Sequence, residues 1–183
     1  MPIKLVGALT GIALLLAGCG SAADEPQAAD GAHAVGAETR SAASAGPFFG
    51  ECASVTDQEV AETFGVSGFG TVIRNSVGCE WQLAGPRGPH VAFSWYRGSP
   101  IDRERAGSDL IGRRGDDIEI AGRPGFVASA PNAPGRTNSL CEIGVGFGAD
   151  FVHWSVTYGD TAPAADPCDV AGRLARLTVE RGR

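Results

Sequence analysis

Apolar and polar positions follow two different periods along this chain, and the changes of period mark out its elements. Thr56-Asp57-Gln58-Glu59 forms a capping box, Val60 and Phe64 fall on one helical face, and Gly65 supplies a stop. The period then drops to two. Val77, Cys79, Trp81 and Leu83 alternate with polar or small neighbours, as do Val91, Phe93 and Trp95. Cys141, Ile143, Val145 and Phe147 share a face opposite Glu142, Gly144 and Gly146; the stretch 147–150 predicts a tight turn into Val152, Trp154, Val156 and Tyr158. Residues 117–129 predict another hairpin, turning at Gly122-Arg123, and residues 99–109 have a Ser-Pro helix start without an apolar stripe, the pattern of a short surface helix. Helical spacing returns at the end: Asp166 can cap, Pro167 suits the first position, and Val170, Leu174 and Leu177 form one stripe. The expected fold is α+β: a mostly antiparallel sheet of about five to seven strands with one buried face, and a helix at each end of the domain packed on it.

The amino-terminal segment follows neither period. Residues 5–18 run without a charge after the single cation Lys4. About 14 apolar residues fall short of the roughly 20 that a bilayer-spanning helix needs, and the pattern is that of an export signal. It ends on Leu16-Ala17-Gly18-Cys19, which resembles a bacterial lipobox. In chains with that pattern the cysteine thiol receives a diacylglyceryl group and a peptidase cuts before it. Cys19 is thus expected to be a lipid tether to the outer face of the cytoplasmic membrane, the alternatives being a plain secretory signal or a short anchor. Residues 20–46 carry four acids against Arg40 and are otherwise mostly Ala, Gly and Ser. The composition predicts a stalk unable to bury a core. The expected organisation is a signal peptide over 1–18, a lipidated stalk over 19–46 and one folded domain over 47–183.

Charge and cysteine content narrow the picture. The segment 47–183 holds 17 acids and 13 arginines, a net charge of −4 with no basic run, so nucleic acid is not an expected partner. Besides Cys19 there are Cys52, Cys79, Cys141 and Cys168, with no CxxC and spacings too wide for a zinc ribbon. In an exported domain two disulfides are expected over a metal site. Three connectivities are possible. The favoured one pairs Cys52 with Cys79 and Cys141 with Cys168, each 27 positions apart, tying the start of a helix to a strand.

Candidate chemistry is sparse. His33 lies in the stalk; His90 and His153 have no His or Cys at ligand spacing and read as solvated or locally hydrogen-bonded. The segment 65–70 lacks the spacing of a nucleophile elbow, and 144–148 is not a dinucleotide fingerprint but strand glycines allowing close packing. Asp116, Asp117 and Glu119 lack a calcium-loop frame and read as a solvated turn. Arg103, Arg105, Arg113 and Arg114, interleaved with Asp102, Glu104 and Asp109, read as a salt-laced surface rather than a phosphate site. No catalytic residue, metal site or cofactor is expected. Strand alternation sends Tyr96 to the face opposite Val91, Phe93 and Trp95, with Arg97 beside it. Tyr96 and Arg97 are therefore the candidate ligand-binding pair, lining a concavity beside residues 101–109, and the plainer reading packs Tyr96 under that helix.

The stretches 50–65, 78–81 (Gly-Cys-Glu-Trp), 140–147 and 166–175 together resemble an actinobacterial envelope-lipoprotein family, domain of unknown function 3558, typified by mycobacterial members. The resemblance spans nearly the whole folded segment. It implies an exported, lipid-anchored, disulfide-containing domain and carries over no catalytic residue. The function expected is a non-enzymatic binding or accessory module, its ligand an envelope protein, glycan or lipid. The alternatives are an envelope hydrolase using carboxylates and a lipid carrier.

Overall fold

The computed structural model describes residues 46–131 and 138–182; the signal segment, Cys19 and His33 lie outside them. Seven strands form one sheet, β1 (Thr71–Asn75), β2 (Gly78–Gln82), β3 (His90–Tyr96), β4 (Gly115–Ile120), β5 (Arg123–Pro131), β6 (Asn138–Phe147) and β7 (Asp150–Thr157), in the order β1-β2-β3-β7-β6-β5-β4. Every neighbouring pair is antiparallel. The α+β expectation holds, with α1 (Asp57–Phe64) and α3 (Pro167–Arg181) at the two ends of the domain and α2 (Ile101–Leu110) between β3 and β4.

The local signals act as read. The Thr56 hydroxyl accepts the Glu59 N–H while the Glu59 carboxylate accepts the Thr56 N–H, and Gly65 closes α1 in the left-handed conformation that a side chain resists. Asp166 accepts the N–H groups of Cys168 and Asp169, with Pro167 at the first helical position. Two details differ. The β4–β5 hairpin turns at Ala121-Gly122, both with positive φ as a type I′ turn requires, so Arg123 already begins β5. Strand β1 has no counterpart in the alternation because nearly all of it is exposed, and Val77 and Leu83 lie just outside β2 and are themselves exposed.

One face of the sheet is covered by α1, α3 and the segment leading into α1. At its centre the fully buried rings of Trp81 and Trp154 stack 5.8 Å apart, at an interplanar angle of 17°. The Trp81 indole N–H donates to Asp57 Oδ1 on α1 (2.8 Å), and that of Trp154 donates to Thr178 Oγ1 on α3 (2.9 Å). The Tyr158 hydroxyl donates to the Phe64 carbonyl at the end of α1 (2.9 Å), satisfying an otherwise unpaired helix-end acceptor. Arg181 joins the helices directly, donating to Glu59 Oε1 (2.6 Å) and to the Ser54 carbonyl (2.9 Å). The guanidinium and the Thr56 N–H hold the Glu59 carboxyl down to about 2.

Just before α1, Cys52, Ala53 and Ser54 all have positive φ, a conformation costing about 1–2 kcal/mol per L-residue. Four restraints hold this turn: the Cys52–Cys79 disulfide, full burial of Ala53, the Ser54 hydroxyl donating to the Phe49 carbonyl (2.7 Å), and the Arg181 bond to Ser54. The second bridge joins Cys141 on β6 to Cys168 in α3. Both pairings match the favoured connectivity, with Cα–Cα separations of 5.3 and 5.1 Å.

The opposite face corrects the one-buried-face expectation. Helix α2, although it carries no apolar stripe, lies over β4, β5 and β6. Ser108 is its buried contact, and Phe126, Phe151 and His153 are enclosed on this side. Gly144 makes the enclosure possible, because a Cβ there would collide with the Phe126 ring.

Each disulfide closes a 27-position loop. Converting either pair to alanine should lower the unfolding free energy by about 2–5 kcal/mol in denaturant titration. Loss of the Cys52–Cys79 bridge should also speed proteolysis around 50–54, where the left-handed turn loses its cross-link.

Candidate functional site

The most distinctive surface is the end of the sheet where the described chain begins. The β1–β2 turn, the carboxyl end of β3, the β6–β7 turn and the β4–β5 turn all lie there. Asp150 secures the arrangement: its Oδ1 accepts the Gly98 N–H (2.8 Å), and a Cβ on Gly46 would stand 2.7 Å from its Oδ2, so the incoming chain rests against the start of β7. From Gly46 the chain presents two consecutive phenylalanines with opposite fates. Phe49 is fully buried, packed edge-on against Trp95 (5.4 Å) and Phe147 (4.7 Å). Phe48 is 62% exposed and meets the same Trp95 edge-on at 6.0 Å.

Trp95 is therefore the hinge between core and surface. Alternation puts it on the core face, yet it is only half-buried, because it borders two open concavities near the end of β3. Its backbone N–H donates to the Val77 carbonyl (2.7 Å), and Val77 itself is 60% exposed. The Arg97 guanidinium lies 3.8 Å from the Trp95 ring centroid, and that of Arg123 lies 5.0 Å from the Phe147 centroid. Neither arginine pairs with a carboxylate among the described residues. The buried Trp95 indole N–H also has no acceptor among them.

Two open concavities flank Val77 and Trp95. One, of about 370 Å³, is walled by Ser76, Val77, Ser94, Trp95, Tyr96 and Arg97. The other, of about 360 Å³, lies towards Phe48, Glu51, Arg74 and Asn75. Tyr96 and Arg97 thus line a concavity together, but its walls are the β1–β2 turn and β3 rather than residues 101–109. The Tyr96 ring also stacks on buried Phe151 (4.4 Å, 7°), so it packs as well as faces the opening. Its phenol is pushed up by burial and then by the charge of Glu104, keeping the hydroxyl protonated and able to donate. Phe48, Val77 and Trp95 are site residues that the sequence reading missed, because alternation placed Val77 and Trp95 on the apolar face; the doubled phenylalanine at 48–49 is the signal that points to them.

The other concentration of polar chemistry is sealed beneath α2. Glu142 on β6 accepts from Ser108 (3.2 Å) and pairs with Arg113 (2.9 Å), and burial pushes its carboxyl up. His153 corrects the expectation of a solvated or locally bonded ring. It is 8% exposed, its Nε2 has no partner among the described residues, and burial, reinforced by Arg113, lowers it to about 4. These residues brace α2 against the sheet and line none of the open concavities described above. His90 is locally bonded as expected, its Nδ1 2.8 Å from the Gly88 carbonyl. Arg105 pairs with Asp117 and also donates to the Gly115 carbonyl (2.9 Å), the salt-laced pattern anticipated there. No cluster of three metal-ligating side chains occurs among the described residues.

Comparison with known proteins adds the following. A family model described as "Protein of unknown function (DUF3558)" matches residues 14–181. The proteins named "Putative lipoprotein LprB" in Mycobacterium bovis and Mycobacterium tuberculosis are each 41% identical over 180 residues, covering 97% of this chain and 94% of theirs. The protein of that name in Mycobacterium leprae is 42% identical over 139 residues, covering 75% of this chain and 73% of its own. No solved structure matches.

The sealed cluster has a measurable pH signature. The folded pKa of His153 lies near 4, below its unfolded value near 6.5. Between those values the unfolded chain binds a proton that the native one refuses, so stability falls as pH drops through that window, by up to about 3 kcal/mol. Glu142 works the other way, since its raised folded pKa favours the native state as pH falls and offsets part of this loss. His153→Leu should therefore flatten the decline of the denaturant midpoint between pH 6.5 and 4.5. Parallel profiles for variant and wild type would show that the ring is not buried in its neutral form.

Proposed function

This chain belongs to the family of proteins of unknown function DUF3558, and we propose that it is a cell-envelope lipoprotein held by an acylated Cys19 and working as a non-enzymatic binding or accessory module. The Leu16-Ala17-Gly18-Cys19 motif and the lipoprotein name of its mycobacterial relatives support the tether. The outer face of the cytoplasmic membrane is the location that an export signal and two disulfides favour.

One observation carries the binding role: half-buried Trp95, its N–H without an acceptor and its ring under Arg97, between two concavities that share Ser76, Val77 and Trp95. Aromatic and arginine side chains at a concave rim are the residues that dominate recognition surfaces. Volumes of 360–370 Å³ suit a side chain, a sugar or a headgroup, at the small end of the range of ligand pockets. Hydrolysis by carboxylates has less support, because buried Glu142 is already engaged by Arg113 and Ser108 under α2.

Two experiments test this. Cys19→Ala should abolish acylation and detergent-dependent membrane association; wild-type protein recovered from membranes without acyl mass on Cys19 would sink the tether. Val77→Glu with Arg97→Ala should weaken capture of the envelope ligand roughly tenfold or more, while stability falls by no more than about 1 kcal/mol, because both side chains are exposed and only the Arg97–Trp95 contact is lost. Unchanged capture by the double variant would remove the site.

A further inference from the structure

The exposed part of the site has the chemistry of a membrane interface. Phe48 and Val77 are both more than half exposed, Trp95 is partly exposed, and the three are contiguous through the Phe48–Trp95 ring contact and the Trp95–Val77 backbone bond. Arg97 and Arg123 rest on the outermost and innermost rings of one edge-to-face chain that runs Trp95–Phe49–Phe147. Of the carboxylates nearby, Glu51 lies 3.5 Å from Arg74 and Asp150 accepts the Gly98 N–H, while exposed Glu180 shares a concavity with Phe48 on the α3 side. The turn residues Ala121, Gly122, Gly148 and Ala149 at this end are exposed and small.

We propose that this end of the sheet docks on the headgroup–acyl boundary of a lipid bilayer. Phe48, Val77 and the exposed edge of Trp95 enter the boundary, and Arg97 and Arg123 pair with lipid phosphates. The inference rests on the reading of this surface as a binding site and deepens it by naming the ligand class. A bilayer is favoured over another occupant because the segment following Cys19 joins the domain here. Gly46, the first described residue, lies at this same end, 27 positions after Cys19. That length spans at most about 90 Å when fully extended, so an acylated Cys19 would keep the surface within reach of lipid at an effective concentration in the millimolar range. Even a weak contact is then populated. The folded segment carries a net charge of −4, which opposes adsorption driven by charge alone. Docking is therefore led by apolar insertion and survives added salt.

The test uses the processed chain 19–183 with Cys19→Ser, which carries no acyl group, and vesicles of phosphatidylcholine with or without phosphatidylglycerol. The three tryptophans make a built-in probe, because Trp81 and Trp154 are fully buried and Trp95 is not. Vesicles should shift the emission of Trp95 to shorter wavelength, and brominated acyl chains should quench it; Trp95→Phe should remove both effects. Phe48→Ser with Val77→Ser should weaken vesicle binding by about tenfold or more, and Arg97→Gln with Arg123→Gln by severalfold. Leu110→Ser with Ile111→Ser, an even more exposed apolar pair at the far end of α2, should leave it unchanged. Absence of quenching, equal binding by the Phe48/Val77 variant, or loss confined to the Leu110/Ile111 variant overturns the proposal. If vesicles fail to bind while Val77→Glu with Arg97→Ala still weakens capture of an envelope ligand, the bilayer inference falls and the binding site stands.

Discussion

Two stacked indoles hold this domain together. Trp81 and Trp154 come from strands that β3 separates, and each spends its only polar atom on a different helix. Trp81 reaches Asp57 at the start of α1, and Trp154 reaches Thr178 near the end of α3. A buried indole N–H without an acceptor carries a desolvation cost, so each tryptophan specifies the placement of its helix as well as filling volume. The bond from Trp81 is also the leading cause of the lowered pKa of Asp57, ahead of the Arg74 charge. Core and surface ion pair thus meet on one carboxylate.

At the sheet end of the same face the entering chain fills the space only in part. Phe49 plugs the gap under Trp95 and Phe147, while Phe48, one residue earlier, has nowhere to go but out. The left-handed turn at Cys52–Ser54 explains why the entering chain cannot relax elsewhere: it is cross-linked to β2, buried at Ala53 and bonded to Arg181. The strained turn and the exposed aromatic are two consequences of one constraint, the need to bring the chain from the sheet end back to the start of α1 in very few residues.

The opposite face follows a different logic. A helix with almost no apolar side chains can still cover strands when its polar groups find partners there. Ser108 and Arg113 share Glu142, Arg105 takes Asp117 and the Gly115 carbonyl, and the Gly115 N–H donates to Asp109 (2.9 Å). A buried ion pair such as Arg113–Glu142 adds little net stability against an apolar alternative, but losing one partner strands a charge. These contacts set where α2 lies.

Much of this was legible in the sequence because it depends on neighbours along the chain. Thr56 with Glu59, Asp166 with Pro167, and the alternation from Cys141 to Phe147 are local choices between conformations, and each formed as read. The two disulfides followed from pairing each cysteine with the nearer partner in sequence. Alternation also assigned Trp95 to the core face and His153 to the other, and both assignments hold. What period two cannot report is how far a face is covered, since that depends on elements distant in the chain. Phe48, Phe49 and Arg97 cover Trp95 only in part, turning a core tryptophan into the rim of a concavity. Tyr96 and Phe126 flank the His153 ring, with Arg113 near it, turning an outward histidine into a buried one. Side-chain direction is a property of the strand; burial is a property of what packs on it, and only the tertiary structure decides that.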